Sequence, residues 1–157
     1  MADGTFNIAK GRVAELVNRV ASNDPANSAL VVVLLRTSVV DATLEDFDDL
    51  GAILADAGVD EADFTNYARK VLTDAVVSAP TPDDTNNRQD SDIPDQTFVN
   101  AGGATNNNLV KLLVCYDADT TGGTDANIIP LTHHDYVATT DGNDLRAIVD
   151  PGFHRAA

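Results

Sequence analysis

Ala29 to Leu35 is an unbroken run of seven apolar residues, Ala-Leu-Val-Val-Val-Leu-Leu, with three valines in succession and no charge before Arg36. The run is far too short for a membrane helix, which needs about 20 such residues. It is also too uniformly apolar for a strand with one wet face. The pattern predicts a strand covered on both faces and central in its sheet. The rest of the chain must then supply the layers that cover it.

The flanking segments predict helices. From Ile8 to Val20, Val13, Leu16, Val17 and Val20 recur at i, i+3, i+4, i+7, with Asn7 as the expected N-cap and a stop near Ser22, ahead of the turn-rich Asn23-Asp-Pro-Ala-Asn27. A second helix is expected from Leu44 to Ala57, with Leu44, Phe47, Leu50 and Leu54 on one stripe, Thr43 as cap and Gly58 as the terminating glycine. Beyond Phe64 the texture becomes short apolar runs. Strands are expected at 67–77, 97–100, 109–116, 128–131, 136–139 and 145–149, separated by Asp-, Asn-, Gly-, Pro- and Thr-rich loops at 79–89, 101–108, 118–127 and 140–144. The expected fold is one α+β domain over residues 1–157, with two helices in the N-terminal half and a mainly antiparallel sheet or sandwich. Residues 1–7 read as an arm, 8–64 as a helix–strand–helix part and 65–157 as a β-rich part.

Charge narrows the partners. The net charge is −15, carried by 22 Asp against 3 Glu, with Lys only at positions 10, 70 and 111 and 7 Arg. Such a field repels phosphate backbones and anionic lipid surfaces, so neither nucleic acid nor membrane is an expected partner. A basic partner surface, cation binding or a high-salt setting would each accommodate it, and a high-GC genome would also enrich Asp over Lys. The start Met1-Ala-Asp-Gly-Thr-Phe6 has neither the basic nor the apolar region of a signal peptide, so synthesis in the cytoplasm is expected.

Candidate chemistry is thin. Asp117, Asp119 and Asp125 are the metal candidates, because carboxylates at alternate positions before Gly122 can wrap a hard cation. Thr121 and Ile128 stand where further ligands belong, which favours a polar hairpin loop. His133 and His134 are neighbours on an expected strand and so point to opposite faces; His154 is the third histidine. Cys115, in Leu112-Leu-Val-Cys-Tyr116, reads as a small buried hydrophobe in preference to a nucleophile. Asp48-Asp49 and Asp83-Asp84 read as solvated charge, since carboxylate pairs do acid–base work only where burial splits their pKa values. No catalytic residue and no cofactor is expected. A hydrolase using Asp with His133 or His134, and a calcium module on the three Asp, remain as competing readings.

Several stretches together resemble a known group. Phe6-Asn-Ile-Ala-Lys-Gly-Arg-Val-Ala-Glu-Leu-Val-Asn-Arg-Val20 and Asn23-Asp-Pro-Ala-Asn-Ser-Ala-Leu30 resemble the start of small virion structural proteins encoded near the capsid gene of tailed phages and haloarchaeal tailed viruses. The resemblance continues through 65–74, 82–88, 112–117, 130–135 and Gly152-Phe-His-Arg-Ala156. It implies a non-enzymatic head decoration protein, carried on the outside of the virion. The major capsid protein would be its partner and a homo-oligomer, a trimer, its assembly. A neck, head-completion or tail protein is the alternative. Residues 1–7 would then be an arm that orders on the shell.

Overall fold

The computed structural model describes residues 4–149 and 152–156, whose strands form three antiparallel sheets. The largest is built around β2 (Ala29–Thr37), buried from Ala29 through Leu35. On one side β2 pairs with β8 (Asn108–Asp117), which pairs with β9 (Ile129–Thr139), which pairs with β1 (Gly4–Thr5). On its other side β2 carries two short strands end to end, β3 (Asp60–Glu61) opposite 35–37 and β4 (Lys70–Leu72) opposite 30–32. The run 29–35 is interior and buried on both faces as expected, but it lies one place in from the short β3/β4 edge, and β8 holds the middle of the sheet.

Between β3 and β4 the ladder on β2 is completed without a strand. The Leu34 carbonyl accepts from the Ala62 N–H at 2.8 Å, and the Leu34 N–H donates to the Tyr67 hydroxyl at 3.1 Å. Burial would otherwise leave these backbone groups unpaired at a cost of about 1–3 kcal/mol each. Phe64, Tyr67 and Phe98 pack together beneath, with ring centroids 5.1–6.2 Å apart, and Lys70 lies over Phe98.

Two bulges shape β9. The partner of Val114 is Thr132 and that of Cys115 is Pro130, so Leu131 is the extra residue, placed where a proline interrupts the ladder. A second shift falls between Leu109/Ala138 and Lys111/Asp135. The expected strands at 128–131 and 136–139 are thus parts of one strand that also carries both central histidines.

The helices are shorter than the periodicity predicts. Residues 8–20 do not form one helix. A 3-10 turn, Asn7–Ala9, is followed by Gly11 at φ +78°, and α1 spans only Val13–Ala21. Its buried stripe is the expected one: Val13, Leu16, Val17 and Val20. Asn7 caps nothing; its amide donates to Asp46 instead. The expected helix 44–57 is two pieces, α2 (Asp41–Leu44) and α3 (Leu50–Ala55). Asp49 divides them by taking extended backbone angles and accepting the Ala52 N–H at 2.7 Å, an N-cap inside the apolar stripe. Gly51 lets α3 lie against the loop after β8, because a Cβ there would meet the Ala126 backbone at 3.0 Å. Helical turns are not confined to the N-terminal half either: Asp125–Asn127 is a 3-10 turn closed by a Thr124/Asn127 capping box.

The other two sheets are small. β5 (Thr81–Asp83), β6 (Arg88–Ser91) and β11 (His154–Ala156) form one, and β7 (Gln96–Phe98) and β10 (Leu145–Ala147) the other. The expected loop 79–89 therefore contains most of a hairpin. Its turn is made by Asp83, which accepts from the Asn86 backbone and side chain, and by Asn87 at φ +52°. Residues 67–77 supply only the three-residue β4. The N-terminal segment also departs from the arm reading. Gly4–Thr5 pairs with β9, and Phe6 is fully buried with its N–H on the Leu131 carbonyl. Residues 1–3 of that expected arm lie outside the described residues. No described helix is long and apolar enough to cross a membrane.

Candidate functional site

The three metal candidates go to different duties. Asp117 accepts the Asp119 N–H at 3.0 Å, and Asp119 accepts both the N–H and the hydroxyl of Thr121, which hold its carboxyl below the usual range. Asp125 faces Arg69. Its two oxygens accept from Nη1 and Nη2 at 2.6 and 2.9 Å, and this lowers its pKa. The same guanidinium donates to Glu61 at 2.8 and 2.7 Å, and Tyr67 donates to Glu61 at 2.8 Å. Burial, reinforced by the Glu61 carboxylate, pushes the Tyr67 phenol upward. The cluster ties β3, the approach to β4 and the loop after β8 together. Among the described residues no group of three or more His, Cys, Asp or Glu is placed to hold a metal ion.

Cys115 lies beneath this cluster on β8, fully buried, with its thiol pushed up to about 12 by loss of solvent. A protonated, sealed thiol is a poor nucleophile. Asp48 and Asp49 make no shared site, since Asp49 is the α3 cap. Asp83 braces the β5–β6 turn and sits 3.3 Å from Arg88.

His133 and His134 do face apart. His133 is fully buried on the side of β9 that carries Phe6, edge-on at 5.7 Å, with Nε2 3.3 Å from Glu45 Oε1. His134 faces the other way, its Nε2 2.9 Å from the Thr132 hydroxyl. The histidine it shares a site with is His154. Both line a cleft of about 350 Å³ at the seam between the main sheet and the β5–β6–β11 sheet, together with Thr5, Asp90, Phe153 and Arg155. Burial, and next the His134 imidazole, hold His154 below the ordinary histidine value. His154 Nδ1 and the Ser91 hydroxyl opposite it in the β6–β11 register are buried without a hydrogen-bond partner.

A second cleft, of about 320 Å³, adjoins the first and shares His134, Gly152 and Phe153. Its walls are apolar: Leu112 and Val114 from β8, Tyr136 from β9, and Ala147, Ile148 and Val149 from the C-terminal segment. Arg146 and Asp135 stand at its polar margin, held by Asp95 at 2.6 Å and Lys111 at 2.5 Å. Sequence reasoning singled out His134 and His154 separately and missed Arg155, Asp90 and Tyr136. Asp90 and Arg155 are 65 positions apart, and only the β6–β11 register brings them to 2.8 Å.

The cations show a wider regularity. Lys10, Lys111 and each of the seven Arg lie within 4.0 Å of a carboxylate. Lys70 stacks on Phe98 instead. Lys111 is the most enclosed, 6% exposed and gripped by Asp41 at 2.6 Å and Asp135 at 2.5 Å. The acidic excess is left to face outward. Comparison of the chain with protein-family models, curated proteins and solved structures finds no match.

Proposed function

We propose that this chain is a structural protein of a tailed-virus particle, a decoration protein bound to the outside of the head shell as a homo-oligomer, with a trimer favoured. Its partner is the major capsid protein. The observation that carries the reading is the placement of charge. The scarce cations are committed to ties within the fold, and a net charge of −15 remains to set the outward field. Such a surface keeps particles apart in solution and meets a basic shell surface by complementarity. It is ill suited to a lumen filled with phosphate. Weak contacts through loops and faces suffice, because repetition over a lattice multiplies them. The resemblance of the stretches quoted above to virion proteins encoded beside capsid genes favours the same reading.

An electron-microscopy map of purified particles, with the copy number from quantitative mass spectrometry, tests it. Density outside the shell at a multiplicity set by the capsomers is the expected result. A handful of copies at a single vertex would transfer the chain to the neck or tail, and absence from particles would sink the reading.

A further inference from the structure

We propose that the seam between the main sheet and the β5–β6–β11 sheet is an acid-released latch, in which protonation of His154, set across the cleft from His134, loosens β11 from the seam. The inference goes beyond the proposed virion role and does not depend on it. It stands on three observations of the seam. First, β11 is three residues long and, among the described residues, pairs on one side only, through its ladder to β6 and the adjoining Phe153 N–H on the Ser91 carbonyl at 3.0 Å. Second, the cleft beneath it brings His154 of β11 and His134 of β9 to one space, one histidine from each sheet. Third, His154 Nδ1 is buried with no acceptor in reach, and its cross-strand neighbour, the Ser91 hydroxyl, is equally unpartnered.

The charges around the cleft do little to absorb a new positive one. From β6, Asp90 faces it, but that carboxylate already accepts from Arg155 at 2.8 Å and stands 3.1 Å from Arg88. From β11, Arg155 adds a positive charge. From β9, Thr132 contributes a neutral hydroxyl, and Asp135, at the margin of the adjoining cleft, is drawn to Lys111. From β1, Gly4 and Thr5 carry no charge. A proton added to His154 therefore meets desolvation and a second imidazole, which is the direction in which its affinity is displaced.

The sign follows from linkage. In the open strand His154 takes up its proton near the ordinary value of 6.5; in the docked strand it does so only at lower pH. The docked state therefore holds its full advantage above about 6.5 and loses it as the pH falls below. Between pH 6.5 and 5.0, one imidazole can shift the docking equilibrium by at most about thirtyfold. β2 contributes no residue to the seam cleft and should keep its protection.

Amide hydrogen exchange on the full chain, corrected for intrinsic rates, reads the latch. Between pH 7.5 and 5.0 the protection of residues 154–156 should fall about tenfold more than that of β2. In His154→Phe, which keeps a ring and cannot take a proton, this excess should vanish. An equal excess in that variant, or none in the parent chain, would overturn the proposal. NMR titration of the His154 imidazole in the unmodified chain is the second arm and needs no variant. A midpoint below 6.5 supports the latch, and a midpoint at or above 6.5 removes it.

Discussion

Arg69 and Asp125 meet in two parallel hydrogen bonds of 2.6 and 2.9 Å across 56 positions of sequence. The other edge of the same guanidinium holds Glu61, so one planar cation fastens two carboxylates from different parts of the fold. A lysine offers no such fork. The three side chains keep 22–39% of their surface in solvent, so the tie is worth less than a sealed ion triad.

Arg69→Met should destabilise the chain by about 2–3 kcal/mol, since it leaves Glu61 and Asp125 facing each other uncompensated. Arg69→Lys should lose roughly half of that. Urea unfolding with an unchanged m-value measures both, and equal stability of Arg69→Lys and the parent would refute the bidentate account.

Asp125 gives the tie a pH signature. Arg69 lowers its folded pKa below the usual 3.8, so its contribution is present above that pH and is lost as the pH falls through the depressed value. Stability should therefore drop below about pH 4, and the drop should be shallower in Asp125→Asn. Thermal melts at pH 5, 4 and 3 give the comparison.

Gly4→Ala should unseat the first strand. A Cβ at that position would lie 2.2 Å from His133 Nε2 and 2.5 Å from Glu45 Oε1, and His133 is fully buried and has no room to withdraw. The expected cost is about 1–3 kcal/mol. Faster amide exchange at Thr5 and Phe6, with β2 unchanged, would locate it.

Salt should stabilise the molecule. With a net charge of −15 and nine of its ten Lys and Arg already beside carboxylates, the chain repels itself, and that repulsion shortens in range from about 10 Å at 0.1 M salt to about 3 Å at 1 M. The melting temperature should rise by several degrees over that interval in potassium chloride, and a flat or falling curve would count against this distribution of charge.

What was legible in the sequence was what local pattern controls. Three valines in succession mark β2 as an interior strand covered on both faces, and the stripe Val13, Leu16, Val17, Val20 names the buried face of α1. Glycine and aspartate override periodicity and make both helices shorter than their apolar stripes: Gly11 takes a positive φ, and Asp49 caps α3 within its own stripe. The β5–β6 hairpin escaped because its strands are polar and its turn depends on an Asp83–Asn86 bond in a segment that reads as loop. The seam cleft was illegible for another reason. His134 and His154 are joined through two separate ladders, and no spacing in the chain records that they face each other.

The phenol of Tyr67 stands in for a rung on β2 between two short strands. That margin is thus sealed from within, and an incoming chain would have to evict an aromatic ring already stacked on Phe98 before it could add itself there. A second chain finds no vacant rung along that stretch of β2 on which to pair.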